Sequence, residues 1–266
     1  LNALLSNTTA SQNTAVGHFA LNANTTGNCN TAVGASAGGA ITTGTQNVAV
    51  GYNAGGAITT GTKNVAMGFQ ALDAAITGQE NTALGHQTLS SDTKGQRNVA
   101  VGHGALTTQN FTSATNSNNT AVGYNAGTAL TTAQNNTLIG ALSGDTITTG
   151  EQNTAVGSCT LCSNVTGNNN TAIGRASLLL NTASDNTAVG RNSLNQNTSG
   201  ANNTAVGVSA LDANTTASDN TAVGRTSLLA NTTGASNTAV GMGSLESNTT
   251  GCQNVAVGTS ALTANT

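Results

Sequence analysis

The sequence predicts an all-β fold, a parallel β-roll or β-solenoid of about 15 stacked 17-residue coils, on three observations. A pentamer Asn-(Thr/Val)-Ala-(aliphatic or Met)-Gly occurs 15 times, with one variant at Asn136-Thr137-Leu138-Ile139-Gly140. Twelve of the 14 spacings between copies are 17 residues, so each repeat forms one coil stacked on the last. Seventeen residues are too few for a pair of packed helices, whereas the pentamer alternates with the period of a strand.

The elements of one coil follow from numbering the repeat from its Asn. Positions 2 to 4 predict a strand, with positions 2 and 4 on one face and Ala at position 3 on the other. Gly at position 5 predicts a bend that needs positive φ or a close backbone approach. A second short strand is predicted around positions 7 to 9. The structural Asn and Gly of the repeat are represented by Asn13, Gly17, Asn30, Gly34, Asn203, Gly207, Asn254 and Gly258.

The repeated Asn at position 1 has two interpretations. Stacked amides can hydrogen-bond to one another along the axis, as in other stacked β assemblies. Alternatively, each Asn closes a turn within its own coil. The residue at this position never changes to Asp, Ser or Gly, which favours the ladder.

A compensation between positions 9 and 12 supports the coil model. Position 9 is Leu in most copies, but four copies have Gly there and an aliphatic residue at position 12, where Asn is usual. These pairs are Gly38 with Ile41, Gly55 with Ile58, Gly127 with Leu130, and Gly144 with Ile147. Each coil thus supplies one bulky side chain to a core of fixed volume.

The chain divides into a partial coil at 1–12, regular coils at 13–97, a coil with a four-residue insertion at 98–118, and coils at 119–266 that end within a repeat. The insertion lies between Leu106 and Asn118 and is predicted to loop outward with Phe111. It is either a tolerated surface insertion or a contact loop.

The composition argues against most function classes. Charged residues make up 6% of the chain and the net charge is −3, so there is no basic surface for nucleic acid. No apolar run reaches the ~20 residues of a membrane span. No acidic group recurs beside the histidines, so we expect no catalytic site, no metal site and no cofactor.

Position 6 predicts an outward column of large and variable side chains. This surface is either a solvated or inter-chain column, or a stripe that contacts a ligand. Its members are His18, Tyr52, Phe69, His86, His103, Tyr124, Arg175, Arg191 and Arg225.

Two other sets of residues suggest covalent chemistry. Cys159 and Cys162 have C-x-x-C spacing, which permits either a disulfide or two inert thiols. A metal or redox pair is the least favoured alternative, because a zinc site needs a second Cys pair and none is nearby. Sequons recur at position 12 and would be glycosylation acceptors in a secreted protein, although an Asn- and Thr-rich chain contains many by chance. The candidate acceptors are Asn24, Asn164, Asn214, Asn231 and Asn248.

The strand Val48-Ala49-Val50-Gly51 and its sibling Val255-Ala256-Val257-Gly258, each followed by a small residue at position 8, resemble the head repeat of YadA-like trimeric autotransporter adhesins. The full unit, such as residues 203–219, is also similar to repeats of bacterial surface proteins and phage-type tail fibres. The resemblance covers residues 13–266. It implies a left-handed parallel β-roll, a homotrimer, and a place on the exterior of a cell, an appendage or a virion.

The expected function is therefore structural: an extracellular fibre or surface adhesin head, a rigid rod that attaches to a surface or builds a filament. Its partners would be further copies of itself, in a homotrimer or end to end, and glycans or a host or cell surface. The alternatives are a carbohydrate-binding solenoid and an ice-binding solenoid with Thr at positions 13 and 14. The sequence leaves open whether positions 2 and 4 or position 3 face a partner chain.

Overall fold

The computed structural model describes residues 2–265, in two compact units that meet between Asn135 and Asn136 in the sequence. Residues 1 and 266, the outer ends of the predicted segments 1–12 and 119–266, lie outside the described residues. Both units are all-β parallel solenoids, and together they contain about 14 turns with a spacing of about 17 residues. None of the described residues belongs to a helix that could cross a membrane. Handedness and trimeric state stay predictions.

The first unit has one three-residue strand in each coil and a short additional pair. Its strands are β1 (Thr14–Val16), β2 (Thr31–Val33), β3 (Val48–Val50), β4 (Val65–Met67), β5 (Thr82–Leu84), β6 (Gly95–Gln96), β7 (Val99–Val101), β8 (Thr115–Asn116) and β9 (Thr120–Val122). Strands β1 to β5, β7 and β9 pair in parallel, each repeat position opposite itself, and β6 pairs with β8.

The second unit continues the same pattern without insertions. Its strands are β10 (Thr137–Ile139), β11 (Thr154–Val156), β12 (Thr171–Ile173), β13 (Thr187–Val189), β14 (Thr204–Val206), β15 (Thr221–Val223), β16 (Thr238–Val240) and β17 (Val255–Val257). Every pair is parallel and in register, including β12 with β13, where the repeat is one residue shorter.

The strands bury position 3 and expose positions 2 and 4. Ala32, Ala121 and Ala205 are fully buried, as are the small residue at position 8 and Leu at position 9 of nearly every coil. The aliphatic residue at position 4 is never buried, and Val33 and Val206 are more than one third exposed. This answers the question that the sequence left open: Ala faces the interior of its own solenoid, and positions 2 and 4 face outward.

The second strand predicted at positions 7 to 9 is wrong, because those residues form a bend. Position 7 and the Leu at position 9 both have positive φ, as at Phe19 (58°) and Leu21 (47°). A left-handed conformation reverses the chain and cannot continue a strand. Leu accepts this strained conformation because its side chain is fully buried in the core.

Gly at position 5 is required for two reasons. Its φ is far from that of other residues, as at Gly34 (134°), and a Cβ there would collide with the carbonyl oxygen of Gly51 in the next coil. The backbones of successive coils therefore approach too closely at this bend for any side chain.

The predicted compensation between positions 9 and 12 is present in the core. A Cβ on Gly55 would lie 2.9 Å from Cδ1 of Ile58, and a Cβ on Gly144 would lie 2.8 Å from Cδ1 of Ile147. Both isoleucines are buried. The side chain at position 12 thus enters the space that Leu fills in the other coils.

The insertion departs from its prediction. Phe111 is only 5% exposed, so it does not project from an outward loop. Its backbone N–H donates to the buried carboxylate of Asp92, which also accepts from the N–H of Gly95 and the amide of Gln109. The stretch 112–114 is exposed, while its aromatic residue packs inward. Burial of a large ring outweighs the tendency of a polar stretch to lie in solvent.

Candidate functional site

The Asn at position 1 forms a ladder inside each unit and also closes a bend. The Oδ1 atom of Asn30 accepts hydrogen bonds from the backbone N–H of Asn47 (2.9 Å) and from its Nδ2 (3.1 Å). The Nδ2 atom of Asn47 also donates to the carbonyl of Gly61, 14 residues further on. Asp or Ser cannot make all these bonds, since both donor and acceptor of the amide are used.

A second Asn ladder, which the sequence analysis did not anticipate, occupies position 12 of the second unit. Each Nδ2 donates to the Oδ1 of the preceding coil over distances of 2.7 to 3.1 Å. Its members are Asn181, Asn197, Asn214, Asn231, Asn248 and Asn265. Neighbouring amides thus satisfy one another within the core.

The predicted glycosylation acceptors are among these buried amides. Asn24, Asn164, Asn214, Asn231 and Asn248 are all fully buried. Each donates from Nδ2, the atom to which a glycan would be attached, to a backbone carbonyl three residues further on. In this fold these amides are out of reach of solvent, and a glycan on any of them would not fit the buried position. Glycosylation stays a prediction.

The position-6 column of the first unit is a continuous stack of exposed rings. The ring centroids are 5.4 Å apart between Tyr52 and Phe69, 5.1 Å between Phe69 and His86, 4.9 Å between His86 and His103, and 5.5 Å between His103 and Tyr124. All four pairs are stacked, and Tyr52 and Tyr124 are each 55% exposed. His18 lies outside the stack and contacts Phe19 instead.

The stacking of the rings limits the kinds of ligand that the position-6 column of the first unit can contact. Adjacent rings cover each other's faces, so Phe69, His86 and His103 present edges rather than faces to solvent. The imidazole planes of His86 and His103 are parallel to within 2°, and ring-nitrogen lone pairs lie in the ring plane, so the two rings cannot direct lone pairs at one common point. This geometry favours contact with a flat surface over chelation of an ion.

The position-6 column of the second unit is different, because it contains arginines and no aromatic ring. Arg175, Arg191 and Arg225 are exposed. The ion pairs within residues 2–265 join Glu80 to Lys63 and Arg97, and none includes these arginines. The guanidinium of Arg225 lies 3.9 Å from Sδ of Met242 in the next coil.

The predicted cysteine pair lies at one bend of the second unit. Both thiols are free and partly buried. Cys162 donates from Sγ to the carbonyl of Leu142, and burial, together with Asp145 and Cys159, raises the pKa of its thiol. A raised pKa keeps the thiol protonated and unreactive at neutral pH. A disulfide between Cys159 and Cys162 stays a prediction.

The acidic, histidine and cysteine side chains are scattered over the described residues. Within residues 2–265, no three His, Cys, Asp or Glu side chains are close enough to hold an ion. The Arg97 guanidinium, which donates to Glu80, holds the pKa of that exposed carboxyl low, as does the charge of Lys63. These charges form a surface network of the first unit.

The threonines at positions 13 and 2 of the repeat differ in whether their hydroxyls form hydrogen bonds within the solenoid. At position 13 they donate to backbone carbonyls of the next coil, as Thr25 does to Thr42 and Thr215 does to Thr232. At position 2 of the second unit, seven successive threonines have no hydrogen bond from the hydroxyl to any described residue. They are Thr137, Thr154, Thr171, Thr187, Thr204, Thr221 and Thr238.

Sequence reasoning placed the position-6 residues in one column but did not find the ring stacking, the split between aromatic and arginine coils, or the second Asn ladder. The signal was available: all five aromatic residues and all three histidines precede residue 136, and the arginines at position 6 all follow it.

Comparisons with protein-family models, with curated proteins and with solved structures gave no match to this chain. The resemblance to YadA-like head repeats therefore stays a prediction, and function has to be argued from the geometry above.

Proposed function

We propose that this chain is a structural segment of an extracellular fibre or surface adhesin head, a rigid rod that associates side by side with further copies of itself. The observation that carries the proposal is the outward strand face. Position 4 is aliphatic or Met in every coil and is never buried. Soluble monomers rarely leave a long contiguous apolar surface in water, because covering it is favourable.

The widest part of this face is in the first unit. Val48, Val50 and Tyr52 lie in one coil, and equivalent residues follow in the next four coils, over ~20 Å of the coil axis. No Lys, Arg, Asp or Glu lies at positions 2, 4 or 6 of these coils. The exposed fractions of Phe69 (45%) and Met67 (42%) are large for such side chains.

A second copy of the chain fits this face better than an unrelated partner does. Side chains recur along it at the strand spacing of about 4.8 Å, and only another rod with the same repeat can keep every coil in register with it. We place the fibre outside the cell, on an appendage or on a virion. The resemblance to YadA-like repeats and the low charge of the chain support this location.

A second candidate, ice binding, is favoured by the row of seven threonines with free hydroxyls at position 2. These hydroxyls lie beside a row of exposed methyl groups at position 4, which gives a regular surface that can order water. Positions 13 and 14, the face expected from the sequence, are less suitable, because the position-13 hydroxyls are already used within the solenoid. The two candidate functions compete for the same strand face.

The native mass in solution tests the proposal. Light scattering of the wild type is expected to give a multiple of 25.9 kDa. The triple variant V189K/V206K/V223K places three charges on the outward face and should reduce the mass towards one chain. The control T216K/T233K/T250K has the same net charge, at exposed residues of position 14, and should keep the wild-type mass.

Two results would contradict self-association: a single-chain mass for the wild type, or an unchanged mass for the position-4 triple variant. Circular dichroism of each variant checks that it is folded. Thermal hysteresis of the same wild-type sample decides the second candidate: a freezing-point depression in a single-chain rod supports ice binding, and its absence excludes it.

A further inference from the structure

The cations of this chain are few, and their distribution is uneven. The chain has six Lys and Arg residues. In the first unit, Lys63 and Arg97 share the carboxylate of Glu80, at 3.5 Å and 3.1 Å. All three cations of the second unit, Arg175, Arg191 and Arg225, lie at position 6, in one exposed column.

This column is positive although its unit is negative. The second unit has six acidic residues and three arginines, a net charge of 3 − 6 = −3, and none of the acids is at position 6. Asp212 interacts electrostatically with Arg191. Arg175 and Arg225 form no ion pair with any described carboxylate. Solubility does not require such a row, since like charges on adjacent coils repel each other.

We propose that the column Arg175–Arg191–Arg225 binds a linear acidic polysaccharide, a sugar polymer with carboxylate or sulfate groups, that runs along the coil axis. Arg175 and Arg191 are on adjacent coils, ~5 Å apart, and Arg191 and Arg225 are two coils apart, ~10 Å. A sugar residue in an extended 1,4-linked chain is about as long as one coil is thick. Successive or alternate acidic groups of such a polymer therefore reach successive arginines.

The surroundings of the arginines suit a sugar polymer. A guanidinium binds a carboxylate or sulfate through two parallel N–H donors. Between Arg191 and Arg225 the column has Val208, which is 38% exposed and offers an apolar surface to the C–H groups of a sugar ring. The neighbouring position 7 has Asn192 and Thr226, partly exposed groups that can hydrogen-bond to hydroxyls.

A nucleic acid fits this surface less well. The second unit has no aromatic residue on which a base could stack, and three arginines neutralise few phosphates. The net charge of −3 also opposes general attraction to a polyanion, so binding would have to come from the column itself.

Two 1,4-linked polymers distinguish the acidic groups: alginate, which has carboxylates, and cellulose sulfate, which has sulfates. Neutral dextran is the negative control. Biolayer interferometry of the full chain at low salt is expected to show binding to at least one acidic polymer, and none to dextran. High salt should weaken that binding, because the contacts are exposed ion pairs.

A pair of charge-matched variants locates the site. R175Q/R191Q/R225Q and K63Q/K94Q/R97Q each change the net charge from −3 to −6. The first is expected to weaken binding about 10- to 100-fold, the sum of three exposed charge contacts, and the second by less than about threefold. Equal losses in the two variants, no binding of the wild type to either acidic polymer, or equally tight binding to single-stranded DNA would overturn the proposal.

This inference does not depend on self-association. Light scattering of R175Q/R191Q/R225Q should give the wild-type mass, since glutamine keeps position 6 polar and the substitutions leave the aliphatic residues at position 4 in place. A variant that loses both its mass and its binding would assign the arginines to assembly and would also overturn the proposal.

Discussion

The two units have the same strand and bend in every coil, with Ala at position 3 everywhere except Leu138, yet they differ at positions 6 and 12 of the repeat. At position 6 the first unit has stacked rings from Tyr52 to Tyr124, and the second has Arg175, Arg191 and Arg225. At position 12 the first unit is varied, with Ile41, Ile58 and Asp92, whereas the second has an Asn ladder from Asn181 onward.

This difference shows that some positions of the repeat maintain the fold, while others vary from unit to unit. Positions 1 and 5 are constrained by hydrogen bonding and by the close backbone approach, and they are Asn and Gly in every coil. Position 3 is constrained by core volume and is Ala in every coil except at Leu138. Position 6 faces solvent, so it can change without disturbing the core and can give each unit its own surface. Position 12 is internal and can change only together with its partners, either position 9 or the neighbouring coils.

The largest loss of stability is expected from a substitution that breaks the Asn ladder of the second unit. Asn214→Ile, with Leu211 retained, overfills the core and removes the bond that Nδ2 of Asn214 donates to Asn197 and the one that its Oδ1 accepts from Asn231. We expect a loss of about 2–5 kcal/mol in stability, measured by denaturant unfolding.

The matched control copies the arrangement that the first unit has at Gly55 and Ile58. The double variant L211G/N214I restores the core volume but not the amide bonds, so its stability should lie between those of the wild type and N214I. Wild-type stability of N214I itself would show that the ladder contributes nothing.

An intermediate effect is expected for the aromatic stack. Phe69→Ala removes contacts to both Tyr52 and His86, and each stacked pair contributes about 0.5–1.5 kcal/mol beyond the area it buries. The variant should therefore lower the melting temperature by several degrees. Arg191→Ala, at the same repeat position of the second unit, should change stability by less than about 0.5 kcal/mol. Equal effects of the two changes would mean that the stack is not stabilising.

The smallest effect is a pH dependence of opposite sign in the two units. The hydrogen bond from Arg97 lowers the pKa of Glu80, so the stability this carboxylate contributes is present above the range of an unfolded carboxyl and is lost as the pH falls. Burial raises the pKa of Asp212, so its contribution is present at low pH and is lost as the pH rises through the folded pKa.

Melting temperatures at neutral pH and at about pH 3 test both signs. E80Q should melt below the wild type at neutral pH, and D212N should melt above it. Both differences should shrink in acid, as the wild-type carboxyls become protonated. A difference that persists in acid would assign the effect to packing and not to charge.

The solenoid fold can be predicted from the sequence alone, because a 17-residue period with Asn, Ala and Gly at fixed positions leaves room for one strand and a few bends in each coil. It also predicted the exchange between Gly55 and Ile58, because a core of fixed volume couples the two positions within one coil. The length of a repeat and the volume of the side chains it contains are both visible in the sequence of that repeat.

Apart from the position-1 Asn ladder, which the constant Asn favours, the contacts between coils follow only from the tertiary structure. The face buried by Ala32, the stacking of Phe69 on His86 and the Asn ladder through Asn214 all join residues 17 apart, and whether such residues touch depends on the direction in which each side chain leaves the backbone. Left-handed φ at positions 7 and 9 sets those directions and excludes the second strand predicted there. Phe111 was misplaced for the same reason: its inward direction follows from the bonds that the insertion makes to Asp92, which no local pattern encodes.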